Sequence, residues 1–584
     1  MKLVSIKYVC FALIFWAVMA PPSKAAPAPQ DLLPRDTVAM FTVPDAKVFG
    51  GELARSLPAR FWGDPHMAEF ARSVERGMLE MFFNPGEGRN PLGLFSFAEG
   101  QVTLGLALPA AGAKEAFAVL LLDGGKKADA LAGELDALVG QARADGMSVG
   151  ERMIRDVKFH HLRPKNLPAV HVGMSGTLLI AGNDPDRLEK ILVRQAGGKS
   201  PALNSHPSFA KRFKAQFAMA PAFGWLDTLA LFKELPVAGV VDEGVNPGNM
   251  MKASGLNELR SISFSISGNL LEGELFLEVP ESSRRGLFAI MTPDQANVAP
   301  PPFAPENLAS FMRTRIDMAR AWKAFEGVLV ELSPDAGKAV DFIERAAQAA
   351  DPQFNLRDGF IKSMGNDIIL LEWPSRANGL DNPDAWPAIV MVESKKPAVT
   401  LKGIRNLATI VSPKGPERRG FLGRSIYTYK LGDGLVEQEA PDAPSIHLTT
   451  VANYIAAAKN RDLLETFLRG PDNLDLRPLR DLPALKAAVQ KVGGFESGFL
   501  YYSDDRDSFR ELFHVLRSTP NPAELLGQYL PLRADGRPHD LHWIDFKKLP
   551  EFDRVSGYFP VVVIGMISGK DGFSIKGYSS VNAE

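Results

Sequence analysis

The chain has 584 residues, 46% of them apolar and 23% charged, and a formal net charge of −2. That length exceeds one ordinary core, so two or more domains are expected, and the balance is that of a globular protein. A near-neutral chain without a basic run of five or more excludes the concentrated cationic surface that a nucleic-acid partner needs.

The first residues read MKLVSIK, then YVCFALIFWAVMA, then PPSKAAPAP. A short basic stretch, a thirteen-residue apolar core and small residues after it predict a secretory signal peptide over 1–25, because the apolar run is too short to span a membrane. Ser23-Lys24-Ala25 fits the small-x-small rule and places cleavage near Ala25, a retained anchor being the alternative. Cys10 is the only cysteine, so a mature chain holds no disulfide, no thiolate metal site and no cysteine nucleophile. No later run reaches eighteen apolar residues, so no transmembrane segment is expected after cleavage. The expected destination is the periplasm or the extracellular space.

In chain order, the alternation of VAMFTV predicts a strand, followed by helical stretches near 46–56 and 65–83. Strands QVTLGLAL and FAVLLLD precede the helix ADALAGELDALVGQA. Strands VKFHHL, AVHVG and TLLIAG follow, then helices at 185–195 and 207–217, strand FGWLD, and the pair SISFSIS and EGELFLEV. Short turns between strands imply antiparallel pairing, and grouped helices favour α+β over a doubly wound parallel sheet.

The five prolines of TPDQANVAPPPFAP (292–305) predict a stiff extended connection, and they divide the chain into nearly equal parts. A shift of 276 lays PAVHVGMSGTLLIAGNDPDRLEKIL (168–192) on PSIHLTTVANYIAAAKNRDLLETFL (444–468) without a gap, seven of 25 positions being identical. The same shift carries Pro207 onto Pro483, Phe223 onto Phe499 and Trp225 onto Tyr501. Weaker echoes pair LPRDTVAMFTVPD with APENLASFMRTRID and FAVLLLDGGKK with PAIVMVESKK. The expectation is two tandem, duplicated α+β domains, each a largely antiparallel or mixed sheet packed with helices. They cover 31–295 and 303–584, with a Pro-rich linker at 296–302 and an insertion near 518–556 in the second.

The openings LLPRDTVAMFTVPD and FWGDPHMAEF, with the strand-turn-helix GNDPDRLEKIL, resemble a family of uncharacterised exported bacterial proteins with a domain of unknown function. Its members begin with a leucine-proline-x-aspartate-threonine phrase and a valine-proline-aspartate phrase. The resemblance covers most of the first repeat. It implies export, and brings no catalytic residues to carry over.

The candidate chemistry thins when the repeats are compared. Gly173-Met174-Ser175-Gly176-Thr177 lacks the last glycine of an esterase elbow, precedes a strand instead of a helix, and matches Val451 at its serine. Asp184-Pro185-Asp186 reads as a helix cap with proline at the first helical position, and its counterpart Asn460 keeps capping ability without charge. Ser208-Phe209-Ala210-Lys211 matches Ser-x-x-Lys, but no Lys-Thr-Gly strand accompanies it and Ala484 replaces the serine. Lys126-Lys127 and Lys395-Lys396 recur and read as solvated lysines.

His171 survives as His447, a possible ligand-binding or structural histidine on a strand. His160 and His161 can join His171 in a metal site if a hairpin brings them together, their counterparts falling near Tyr429 and Lys430. His539, His542 and Asp545 form the other candidate metal set. Nucleotide-binding and zinc-protease motifs are missing, so no cofactor is expected. The leading expectation is a non-catalytic envelope protein that presents a binding or scaffold surface to an unknown protein or apolar ligand. The alternatives are a carrier of a lipid or other apolar molecule in a cleft lined by some of the 36 phenylalanines, and a metal-assisted hydrolase with a site in the second domain only.

Overall fold

The computed structural model describes residues 27–82, 91–109, 115–164, 168–234, 247–267, 270–374, 387–410, 415–430, 445–470, 477–524 and 541–580. They form two compact units that interleave along the chain. The first comprises the described residues within 1–235, 261–275 and 513–558, the second those within 236–260, 276–512 and 559–584. The signal segment predicted over 1–25 lies outside the described residues.

The first unit is built on strands β1 (Thr37–Val43), β2 (Val102–Ala107), β3 (Phe117–Asp123), β4 (Ser148–Ile154), β5 (Val157–Arg163), β6 (Val170–Ser175), β7 (Leu178–Gly182), β8 (Ala222–Leu226) and β9 (Ser261–Ser267). All pair antiparallel, in the order β4-β5-β6-β7-β3-β2-β1-β8-β9. Strand β10 (Glu272–Glu278) carries the chain from the first unit into the second. The second unit holds β11 (Ser310–Arg315), β12 (Met364–Glu372), β13 (Ala388–Ser394), β14 (Glu417–Phe421), β15 (Arg424–Lys430), β16 (Ser445–Val451), β17 (Tyr454–Ala458), β18 (Phe499–Ser503), β19 (Val561–Gly569) and β20 (Gly572–Ser580). Its order is β14-β15-β16-β17-β13-β12-β11-β18-β19-β20, again antiparallel throughout. The first nine positions of the second order reproduce the first, and β20 follows as a tenth. The fold class is α+β, as the grouped helices and short turns imply.

The central strands of the first sheet pack helices on both faces. In the first unit one face packs Phe117, Val119, Phe159 and Ile180 against Leu188, Ile191 and Phe209, from helices Pro185–Gln195 and Pro207–Arg212. The other packs Leu122, Val172 and Leu179 against Leu131, Leu135 and Val139, which recur every four residues on helix Ala128–Ala144. In the second unit Ile389, Met391 and Ala456 meet Leu464 and Leu485. A separate helical core gathers Val340, Ala347, Phe360 and Ile361.

The gap-free shift of 276 holds through the helices and then slips. Phe209 and Leu485 are both fully buried, as that shift requires. On the next strand Met40 faces Trp225, whereas Phe311 faces Tyr502 and not Tyr501. Tyr502 is 1% exposed and takes the place of Trp225, at 2%. One extra residue before β18 would turn every side chain to the wrong face, so the match moves by one to keep the core filled.

The Pro-rich stretch is anchored within the second unit and turns at its end, where the Ala304 N–H donates to the Pro301 carbonyl at 3.0 Å. The Val298 N–H donates to the Phe495 carbonyl at 2.8 Å, and Val298 and Ala304 are fully buried. The described residues within 513–558 belong with the first unit, where Phe513 meets Phe552 edge-on at 5.3 Å and Phe546 lies 6.1 Å from Phe70.

Candidate functional site

The stretch around His171 is a set of antiparallel hairpins. β6 and β7 meet at Gly176, whose φ of +61° needs no side chain; the matching Ala452 holds φ of +51° with one. Ser175 therefore sits at a hairpin turn and not at a strand-to-helix elbow. The helix that follows is capped as its sequence implies. Asp184 accepts from the Asp186 and Arg187 N–H groups at 3.0 and 3.2 Å, and Asn460 accepts from Leu463 at 2.9 Å.

The three histidines do not converge. Alternation along β5 sends His160 and His161 to opposite faces of the sheet. His161 stands opposite His171, their rings stacked 4.6 Å apart at 7°. His160 faces helix Ala128–Ala144, where its Nε2 lies 3.5 Å from Asp136 and its buried Nδ1 has no protein partner. The three-histidine metal expectation is corrected accordingly, and among the described residues no group of three or more His, Cys, Asp or Glu is placed to hold an ion.

The ladder also corrects the counterparts of these residues. Thr428 stands opposite His447 as His161 stands opposite His171, so the matches are Tyr427 and Thr428 and not Tyr429 and Lys430. Thr428 Oγ1 hydrogen-bonds His447 Nδ1 at 2.9 Å, whereas Nδ1 of His171 has no protein partner. Both imidazoles are buried, 4% and 8% exposed. Burial holds the pKa of each below its ordinary value; His161 and Arg152 push His171 further down while Asp184 opposes, and Arg461 acts likewise on His447 against Asp462.

On the His160 face lies a groove of about 500 Å³, lined by Leu135, Asp136, Asp156, Lys158, His160 and Ser175 among others. Two carboxylates, an ammonium, an imidazole and a hydroxyl suit a small polar ligand better than a lipid chain. The corresponding place in the second unit carries different chemistry, the Arg405 guanidinium lying 5.1 Å over the Tyr427 ring.

A second polar group was not singled out from the sequence, though its residues stand in the FWGDPHMAEF phrase. Tyr558 donates to Asp64 at 2.6 Å, and Asp64 also meets His66 Nδ1 at 2.9 Å. The Tyr558 bond lowers the Asp64 carboxyl, helped by the His66 backbone, and Asp64 raises the Tyr558 hydroxyl. The tyrosine lies nearly 500 residues further along the chain, which hides the group from any motif.

The remaining candidates are occupied elsewhere. Ser208 Oγ is 3.2 Å from Ser261 Oγ, and Lys211 is exposed. Asp545 caps a short 3-10 turn through the Lys547 N–H at 3.3 Å and pairs with Lys548 at 3.5 Å; His542 is exposed and His539 lies outside the described residues. Rings that suggest an apolar cleft fill the core instead: Phe217 stacks on Phe223 at 4.4 Å, and Phe209 meets Trp225 edge-on at 5.5 Å, all four at most 2% exposed.

Among the described residues no helix is long and apolar enough to cross a membrane. No family model matches the chain, and no curated protein matches it. Solved structures titled as crystal forms I and IV of TP0453 match with TM-scores of 0.22 and 0.23 at 11% identity, each covering 44% of this chain and 81% of that one. Overlays this loose assign no shared fold.

Proposed function

We propose that this is an exported, non-catalytic protein of the bacterial cell envelope that acts as a binding or scaffold module. One observation carries the reading. The strand order is reproduced from the first unit to the second, while most reactive side chains at matched places differ, the buried pair His171 and His447 being the exception. His160 beside Asp136 becomes Tyr427 beside Arg405, His161 becomes Thr428, Ser175 becomes Val451, and the cap Asp184 becomes Asn460. What persists is the framework. Catalysis in both units would have kept its nucleophile, base or ligands; a module that displays surface needs only the sheet and its covering helices.

The surface proposed to bind lies on helices Met318–Leu332 and Pro334–Ala350. They expose Phe325 at 40%, Val330 at 56% and Phe342 at 63%. Large apolar side chains standing in water together mark interaction sites. Exposed charges of both signs, Asp335, Lys338, Asp341 and Arg345, suit a protein partner better than an anionic lipid surface.

The test is expression of the full chain with its own leader, cell fractionation, and native mass spectrometry of the released protein. Recovery outside the cytoplasm, shortened near residue 25, bound to a second polypeptide and released by Phe342→Asp, supports the reading. Retention in the cytoplasm, or a tightly held lipid that Phe342→Asp leaves in place, overturns it.

A further inference from the structure

The side chains of one row across the first sheet need not serve only as structure. Gly150 on β4, His161 on β5, His171 on β6 and Gly182 on β7 face one another in register. Among these four positions only the two histidines carry side chains, and beyond Gly182 the row continues with Val119. A Cβ on Gly150 would come no nearer than 4.0 Å to His161, so the space beside that ring is open. The matching row of the second unit reads Glu417, Thr428, His447, Ala458, and its histidine is satisfied by the threonine. In the first unit the threonine is replaced by a second imidazole, and the Nδ1 of a histidine 96% buried is left without a protein partner.

We propose that His161 and His171 form a two-histidine site for one divalent transition-metal ion of the zinc and copper class, its remaining positions filled by water or an incoming ligand. Paired neutral imidazoles are the donor set that these ions select over calcium or magnesium. Two nitrogens share an ion at ~2.0–2.1 Å each, hence at most ~4 Å apart. The rings are stacked with centroids 4.6 Å apart, so both must turn about their side-chain bonds to bring a nitrogen of each to that separation with the lone pairs converging on one ion. Burial holds the His171 imidazole below its ordinary pKa. The charged groups acting on it are Arg152 from β4, His161 from β5 and Asp184 from the start of the covering helix, whose carboxylate offsets the arginine. His160, on the far face, takes no part.

Zinc chloride titrated into the mature full-length chain at pH 7.5, followed by calorimetry and by metal analysis after desalting, tests the site. One ion per chain is expected, with affinity reduced about tenfold or more in His161→Ala and unchanged in His66→Ala. His161→Ala alters a half-buried residue, and circular dichroism confirms that it folds. His171→Asn, if folded, loses the ion as well. No ion retained by the wild type, equal affinity in wild type and His161→Ala, or loss of the ion through His66→Ala overturns the proposal.

Discussion

Replacing Asp367 by alanine puts the interior electrostatics of the second unit to the test. Its carboxylate is fully buried on β12. Arg313 reaches it twice, through Nε at 3.0 Å and Nη2 at 2.7 Å; Arg315 Nη1 lies at 2.9 Å and the Tyr454 hydroxyl at 2.7 Å. Burial works against the Arg313 charge and Asp367 outweighs it, so that guanidinium sits above its ordinary pKa; burial and the same carboxylate also raise Tyr454. Removing the acid leaves two guanidinium groups only 11% and 16% exposed with no counter-charge at this place. Breaking a buried pair in this way costs about 3–5 kcal/mol. Asp367→Asn, which keeps an acceptor of the same shape, should cost clearly less, and Tyr454→Phe about 1 kcal/mol. The assay is urea unfolding followed by circular dichroism, with the slope checked for constancy. A second readout is proteolysis of 292–305, because Arg313 also donates to the Ala299 carbonyl and Arg315 to that of Asn297 at 2.9 Å. A loss below about 1 kcal/mol for Asp367→Ala, the size of an exposed pair, with no new cleavage, would refute the reasoning.

The buried histidines set a pH dependence. Both His171 and His447 have folded pKa values below the ordinary one. The unfolded chain therefore takes up protons first, at about pH 6.5. Stability is complete above that pH, declines as pH falls toward the folded values, by at most about 1.4 kcal/mol per pH unit for each histidine, and levels off below them. Urea midpoints between pH 7.5 and 5 should show the decline, and His447→Gln should flatten it. Ala452→Gly relieves a left-handed residue where the first unit has Gly176, and should raise the unfolding free energy by up to about 1 kcal/mol, strain relief being partly offset by chain entropy; a lower urea midpoint would count against the turn assignment. Asp184→Ala removes a cap that holds two N–H groups and should cost about 1 kcal/mol, whereas Asp184→Asn, the residue of the other repeat, should be nearly neutral. If Asp184→Asn costs as much as alanine, the charge matters and the capping account fails.

How much of this was legible in the sequence depends on where the controlling contact lies. β3, with the run FAVLLLD, and helix Pro185–Gln195, with Asp184 before Pro185, can be read directly because burial and capping are local. β4 was missed. Its run SVGERMI is exposed or half-exposed up to Ile154, so neither alternation nor a continuous apolar run betrays it. An edge strand defended by charge gives up the pattern by which strands are recognised. The one-residue slip before β18 was hidden for the opposite reason: Trp225 can be laid on either Tyr501 or Tyr502, and only the facing partners Met40 and Phe311 decide which tyrosine is inside. The candidate sites divide the same way. That His160 and His161 part company follows from period-two alternation alone and needed no structure once β5 was accepted. That His161 meets His171 depends on the register in which β5 and β6 pair, and that Tyr558 meets Asp64 depends on chain 494 residues away. The reactive groups of this protein are assembled by the ladder and by long-range packing, and a sequence searched for motifs shows instead the residues that cap its helices and turn its hairpins.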